Sequence, residues 1–308
     1  MSKRSAELLL ALALGLRGSS LLFSKVALNT MGPFTLMGIR FLISFSLLAL
    51  IFHKKIAAAS RGTWLRGMAI GVGFFLTMSF ELTGLITTSS STTAFIENSA
   101  VVFVPLIETI LAKKLPSRVT VMSTVIALLG LCCLTIKGAR LAFTPGELLC
   151  LMAAISYAAT IIITDRVTSD DDPLALGIIQ LFFIGLFGMI VAFLFETPRI
   201  PSTFIEWRAV LYLAVVCSGI GFTIQPLAQK YTTSERAGLF TAVNPLVAAV
   251  LGIIFLQERF GVLSLIGGIL VLFSIFYAPA SEAGLFRRSR IRRPGENLTD
   301  TAKDNVEK

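Results

Sequence analysis

The sequence predicts an all-α integral membrane protein: ten transmembrane helices, arranged as two inverted five-helix repeats, with both termini cytoplasmic. Three observations lead there. The mean hydropathy is +0.83, with 55% AVILMFWYC residues and only 15% charged residues in 308, too apolar for a soluble domain. Windows of roughly 20 apolar residues, each long enough to cross a bilayer, follow one another along almost the whole chain. A segment near the start also recurs near the middle.

The windows run approximately 8–28, 34–52, 64–83, 89–111, 119–136, 146–164, 174–195, 208–228, 236–256 and 261–279. The first is longer than a signal-peptide core, and Arg17 and Lys25 interrupt it without a small-residue cleavage site, so it reads as a span. The second follows Pro33, and the third follows a basic loop and carries Gly67-Met68-Ala69-Ile70-Gly71, a GxxxG suited to close helix packing. The fourth bears a polar stripe of Ser90, Thr93, Glu97 and Glu108 at helical spacing. The fifth holds Cys132 and Cys133. The sixth and seventh repeat the opening of the chain, and Pro226 and Pro245 interrupt the eighth and ninth, allowing kinks. The tenth carries Gly267 and Gly268.

Glu7-Leu8-Leu9 opens a stretch ending at Pro33, and Glu147-Leu148-Leu149 opens another ending at Pro173, an offset of 140. Thr87-Thr88-Ser89 with Phe95 returns as Thr232-Thr233-Ser234 with Phe240, an offset of 145. The expected units are a first repeat over residues 1–140, a second over 141–280, and a basic, then polar and disordered, cytoplasmic tail over 281–308. Internal repetition in a membrane protein marks a secondary transporter with its site at the repeat interface near mid-bilayer.

Charge placement supplies the orientation. With the N-terminus inside, seventeen Lys and Arg fall on the inner face, five of them in the run 287–293, against five on the outer face. Both termini therefore lie inside. Five spans per half is an odd number, so the second half enters inverted. The formal charge of +9 belongs to loops and tail, where it suits anionic lipid rather than nucleic acid. The expected location is multi-pass in a bacterial inner membrane.

Four cysteines inside spans and one histidine, His53, give no metal-ligand spacing and no disulfide framework, so no cofactor or metal is expected. There is no HExxH or GxSxG, and Asp170 to Asp172 fall in a loop. An enzyme is therefore not expected, and nothing resembles a carbonyl-lined filter or charged ring.

Charges within spans are the candidate functional groups, because each needs a partner or a wet cavity. Lys25, Arg40 and Glu81 lie near outer helix ends, within snorkelling reach, and Glu108 lies near an inner end beside Lys113. These four are candidates for a gate or ion pairs. Arg17 and Glu97 lie about nine residues from their helix ends, roughly 13 Å deep, where snorkelling fails. They either form a buried structural pair or line a central site. Tyr157 aligns with Arg17, and Gln180 with Arg40, each at offset 140. Asn98 and Asn244 complete the candidate substrate-binding set.

Gln225-Pro226-Leu227-Ala228-Gln229-Lys230-Tyr231-Thr232-Thr233-Ser234, then Ala237 to Val243, Asn244-Pro245 and Leu256-Gln257-Glu258-Arg259, resembles the second repeat of EamA-type permeases in the drug/metabolite transporter superfamily. Pro33-Phe34-Thr35 through Arg40-Phe41-Leu42 resembles that family's second helix, and Gly146 through Tyr157-Ala158 its sixth. The resemblance spans roughly residues 6–279. It implies ten helices in two inverted repeats, a central cavity, and export or exchange of small metabolites, often amino acids. Three departures point to a substrate class peculiar to this branch: Arg17 precedes Gly18 where a Trp-Gly pair is common, Ala100 replaces the first-repeat proline, and Lys113-Lys114 replaces Glu-Arg.

The expected function is alternating-access transport of a small metabolite such as an amino acid. Arg17 would take its carboxylate, Glu97 would face its amine or carry a coupling proton, and Tyr157, Asn98 and Asn244 would add hydrogen bonds. The alternative within transport is efflux of bulky cationic or aromatic compounds.

Overall fold

The computed structural model describes residues 3–111, 113, 118–137, 140–141, 144–168, 171–224, 243–257, 261–263, 265–274 and 277. They are helical almost throughout, apart from a two-residue antiparallel ladder pairing Ile136 with Leu141 and Lys137 with Arg140. The helices are α1 (Lys3–Ala27), α2 (Pro33–Ile51), α3 (His53–Ala57), α4 (Arg61–Thr87), α5 (Ser90–Asn98), α6 (Ala100–Leu111) and α7 (Arg118–Thr135). The second half adds α8 (Pro145–Thr168), α9 (Pro173–Phe195), α10 (Phe204–Tyr212), a π-helical continuation over Leu213–Phe222, α11 (Val243–Leu256) and α12 (Leu265–Ser274).

The starts follow from local chemistry. Ser60, Ser89 and Asp172 accept the backbone N–H of Thr63, Thr92 and Leu174 at 3.1, 3.1 and 3.0 Å, capping α4, α5 and α9. Thr144 and Glu147 form a reciprocal capping box at α8, as do Thr203 and Glu206 at α10. Pro33 and Pro173 each occupy a first turn, where a missing N–H costs nothing.

Five helices are long and apolar enough to cross a membrane alone among the described residues: Pro33–Ile51, Arg61–Thr87, Pro145–Thr164, Pro173–Phe195 and Phe204–Phe222. Their outward faces expose Leu50, Phe193, Leu194, Phe195 and Phe204. That surface suits lipid, with backbone polar groups satisfied inside each helix. The protein is therefore an all-helical, multi-pass membrane protein.

Two expected spans differ. The fourth, expected as one helix over 89–111, breaks at Ser99. There the Asn98 amide donates to Ala94 O at 2.8 Å and the Ser99 hydroxyl to Ile96 O at 2.5 Å, while the Ser99 and Val102 N–H groups bond three residues back instead of four. Polar side chains competing for the ladder bend a helix in this way. The eighth begins at Phe204 and turns π-helical at Leu213. Residues 225–242, with Pro226, and the tail 278–308 lie outside the described residues, as do Glu258 and Arg259.

Helix α4 is the central wedge between α8 and α9. A Cβ at Gly73 would stand 2.6 Å from the Thr160 hydroxyl, and one at Gly84 2.7 Å from Gly146 O, both on α8. On its other side, Gly67 and Gly71 meet Ile179 and Phe183 of α9. The GxxxG is thus a packing device, as its small residues suggest. A core of Leu82, Leu85, Leu176, Leu181 and Ile184 fills the space around the wedge.

Polar contacts tie the halves at both ends of the bundle. At one end, Glu196, following α9, accepts from the Phe34 and Thr35 N–H groups and the Thr35 hydroxyl at 2.9, 2.8 and 2.6 Å. At the other, Asp171 pairs with Arg66 at 2.7 Å and Asp172 with Lys55 at 2.5 Å. Burial pushes the Asp172 carboxyl up, but the Lys55 ammonium and the Leu174 N–H outweigh it and hold the group below its ordinary range.

Candidate functional site

Four charged side chains meet inside the bundle: Arg17 from α1, Arg40 from α2, Glu81 from α4 and Glu97 from α5. Each is between 1% and 5% exposed. Two guanidinium groups and two carboxyls sum to zero when both carboxyls are ionised, which is how such a group survives without water. With Ser20, Leu21, Met78, Phe222 and Asn244 they line a cavity of about 10 Å³, room for roughly one water-sized group.

Arg17 is heavily engaged. Its Nη1 donates to the Tyr157 hydroxyl at 2.8 Å, and its Nη2 lies 3.7 Å from Glu97 Oε1. The guanidinium also stands 5.0 Å from the Tyr157 ring and 4.7 Å from the Phe222 ring, a cation–π arrangement that replaces part of its hydration. The residues that touch here, Arg17 and Tyr157, are 140 positions apart, the repeat offset itself. Gly18 admits the start of α11, since a Cβ there would lie 2.6 Å from Asn244 O.

Arg40 and Glu81 do not snorkel toward a membrane surface. Arg40 points inward, with Nη1 donating to Ser24 at 3.1 Å and Ser20 at 3.4 Å, and Nη2 to the Met78 thioether at 3.4 Å. The Phe41 ring lies 4.6 Å away. These neutral groups make an interior position available that distance from a helix end does not reveal. Glu81 and Glu97 line the same cavity, two carboxyls sharing one buried space.

The remaining candidates divide. Asn244 lines the cavity. Gln180 is buried but donates to Phe222 O at 3.2 Å, steadying the π-helical end. Asn98 turns to its own helix. Lys25 closes the end of α4, donating to Leu85 O, Ile86 O and Thr88 O at 2.5, 3.0 and 2.8 Å, a favourable place for a cation. The side chain of Glu108 lies outside the described residues.

Ser20, Ser24, Met78 and Phe222 were not singled out by the sequence. Ser20 and Ser24 were findable, because with Arg17 they recur at i, i+3 and i+7 on one face of α1. Phe222 carried no such signal. No cluster of His, Cys, Asp and Glu that could hold a metal ion occurs among the described residues.

A family model described as the EamA-like transporter family matches residues 4–136 and again 144–278. Among curated proteins, an "uncharacterized transporter" of Archaeoglobus fulgidus is 26% identical over 88% of this chain and 84% of its own length. "Uncharacterized transporter YetK" of Bacillus subtilis is 25% identical over 85% of this chain and 84% of its own. A solved crystal structure aligns with a TM-score of 0.69 at 17% identity, over 92% of this chain and 99% of that one, a likeness of fold.

Proposed function

The chain belongs to the EamA-like transporter family and is a membrane transporter; from that premise we propose that it moves a small metabolite, such as an amino acid, by alternating access at the Arg17–Arg40–Glu81–Glu97 cavity. The observation that carries this reading is the site's composition. Arg17, Arg40, Glu81 and Glu97 come from the first matched stretch, while Tyr157, Phe222 and Asn244 come from the second, so the site lies between the repeats. Glu97 also sits two residues before the helix break at Ser99, the kind of discontinuous helix on which transporter sites are built. The cavity is too small for a whole metabolite, so the helices part to admit one and close behind it.

In this reading there are ten spans with both termini inside, repeats over 1–140 and 141–280 and a cytoplasmic tail over 281–308, in a bacterial inner membrane. The direction is export or exchange. Glu81 and Glu97, two carboxyls lining one buried cavity, support proton coupling: they hold a proton in one half-cycle and release it when substrate binds.

The test is flux of radiolabelled amino acids in proteoliposomes. Arg17→Ala and Glu97→Ala are each expected to abolish flux in protein that still elutes as a folded species; full flux in both removes this site. Flux unchanged after collapsing the pH gradient removes proton coupling. The buried carboxylates also favour efflux of bulky cations as a second reading, and competition by lipophilic cations rather than amino acids would select it.

A further inference from the structure

Unsatisfied atoms at the cavity are distributed unevenly. Arg40 Nε, Glu81 Oε2, Glu97 Oε1 and Asn244 Oδ1 are all buried without a hydrogen-bond partner, and all four residues line the same cavity. Leaving such groups unmade is costly, and native interiors seldom hold four around one small space.

The geometry points to a receptor for a zwitterion in which Arg40, not Arg17, receives a carboxylate, while Glu81, Glu97 and Asn244 receive a primary ammonium. It rests on the transport reading of the same cavity and narrows the substrate to an apolar α-amino acid.

Arg17 already donates to the Tyr157 hydroxyl, pairs with Glu97 and lies against the Tyr157 and Phe222 rings. Arg40 has no carboxylate within ion-pair distance among the described residues. Its Nε–Nη2 edge, which meets a carboxylate fork to fork, is held only by the Met78 thioether, a weak acceptor. Around the same cavity stand three oxygens that accept no hydrogen bond, Glu81 Oε2, Asn244 Oδ1 and Glu97 Oε1, the last with only the 3.7 Å approach of Arg17 Nη2; three is the number of N–H donors on a primary ammonium.

Charge balance agrees. The quartet sums to zero with both carboxyls ionised, and a zwitterion adds no net charge, whereas a lone amine or lone acid leaves one charge unbalanced in a buried site. If Glu81 and Glu97 share a proton beforehand, the arriving ammonium displaces it: the N–H groups take the carboxylate lone pairs, and the proton leaves to water. Leu21, Met78 and Phe222 supply the apolar side of the cavity.

The experiment is equilibrium binding of three probes to purified full-length protein: L-leucine, 3-methylbutylamine, which lacks the carboxylate, and 4-methylpentanoate, which lacks the amine. L-leucine is expected to bind at least about 100-fold tighter than either fragment, because each fragment leaves buried polar groups unpaired. Arg40→Lys keeps the charge but loses the fork, and should weaken L-leucine by about tenfold or more while leaving the amine unchanged. Asn244→Leu should weaken the amine and leave 4-methylpentanoate unchanged. If the cavity holds a structural water only, each variant affects the three probes alike, and the inference falls. Equal binding of the three by the native protein also overturns it. Should proteoliposomes carry other metabolites while L-leucine does not bind, the inference fails and the transport reading stands; absence of any flux removes the transport reading itself.

Discussion

Positions 17 and 40 in the first half are arginines, and positions 157 and 180, each 140 residues on, are tyrosine and glutamine. The halves share helices, offsets and close-packed crossings, yet among the described residues the charge that lines the cavity belongs to one of them. Repetition specifies a scaffold that faces itself, and chemistry is added on one side while the other answers with neutral hydrogen bonds and aromatic faces. Tyr157 is the clearest instance, since it supports the arginine at its own equivalent position.

Making the halves alike should do the most damage. Tyr157→Arg sets a second guanidinium against Arg17 and is expected to cost about 4 kcal/mol or more, the scale of an uncompensated buried charge. Thermal unfolding in detergent measures it, and a shift near zero would mean that the asymmetry is incidental. Next, Arg17→Met and Glu97→Gln should each cost about 3 kcal/mol, with the double variant recovering about 1–3 kcal/mol of the sum if the two residues couple. Strict additivity would break the pair. Tyr157→Phe isolates the neutral half's contribution, the loss of a hydrogen bond to a charged donor, at about 2 kcal/mol.

The ties at the two ends of the bundle give smaller effects. Glu196→Ala removes an acceptor for three donors at the start of α2 and should cost about 1 kcal/mol, read by the same unfolding assay. The Asp172 carboxyl, held low by Lys55 and the Leu174 N–H, adds stability that is complete above its unfolded value of about 4 and lost as pH falls through its lower folded value. Lys55→Ala should flatten this acid limb slightly, because the pair is largely exposed. An unchanged acid limb would assign the effect to the backbone cap alone.

Much of the scaffold was legible because hydropathy and period report on lipid contact directly. Arg17 and Glu97 were legible because no side chain reaches water from mid-depth. Arg40 and Glu81 were not, since depth measured along a helix says nothing of which way the side chain turns, and the hydroxyls of Ser20 and Ser24 with the Met78 thioether make turning inward acceptable. The break at Ser99 escaped for a related reason. An apolar window averages over residues and does not register that Asn98 and Ser99 bond their own helix. The placement of Phe222 depends on winding, which no side-chain pattern encodes.

That winding falls where the two halves differ in length. The offset between the halves is 140 before residue 181 and 145 from Thr232 onward, so the second half is five residues longer over that interval. The Leu213–Phe222 stretch lies in that interval, and π winding holds more residues in each turn than α winding. It is a place where surplus chain can be stored without lengthening the helix. Deleting one residue there would let the coil tighten toward α winding and take up the loss, so that the helix on either side keeps its place.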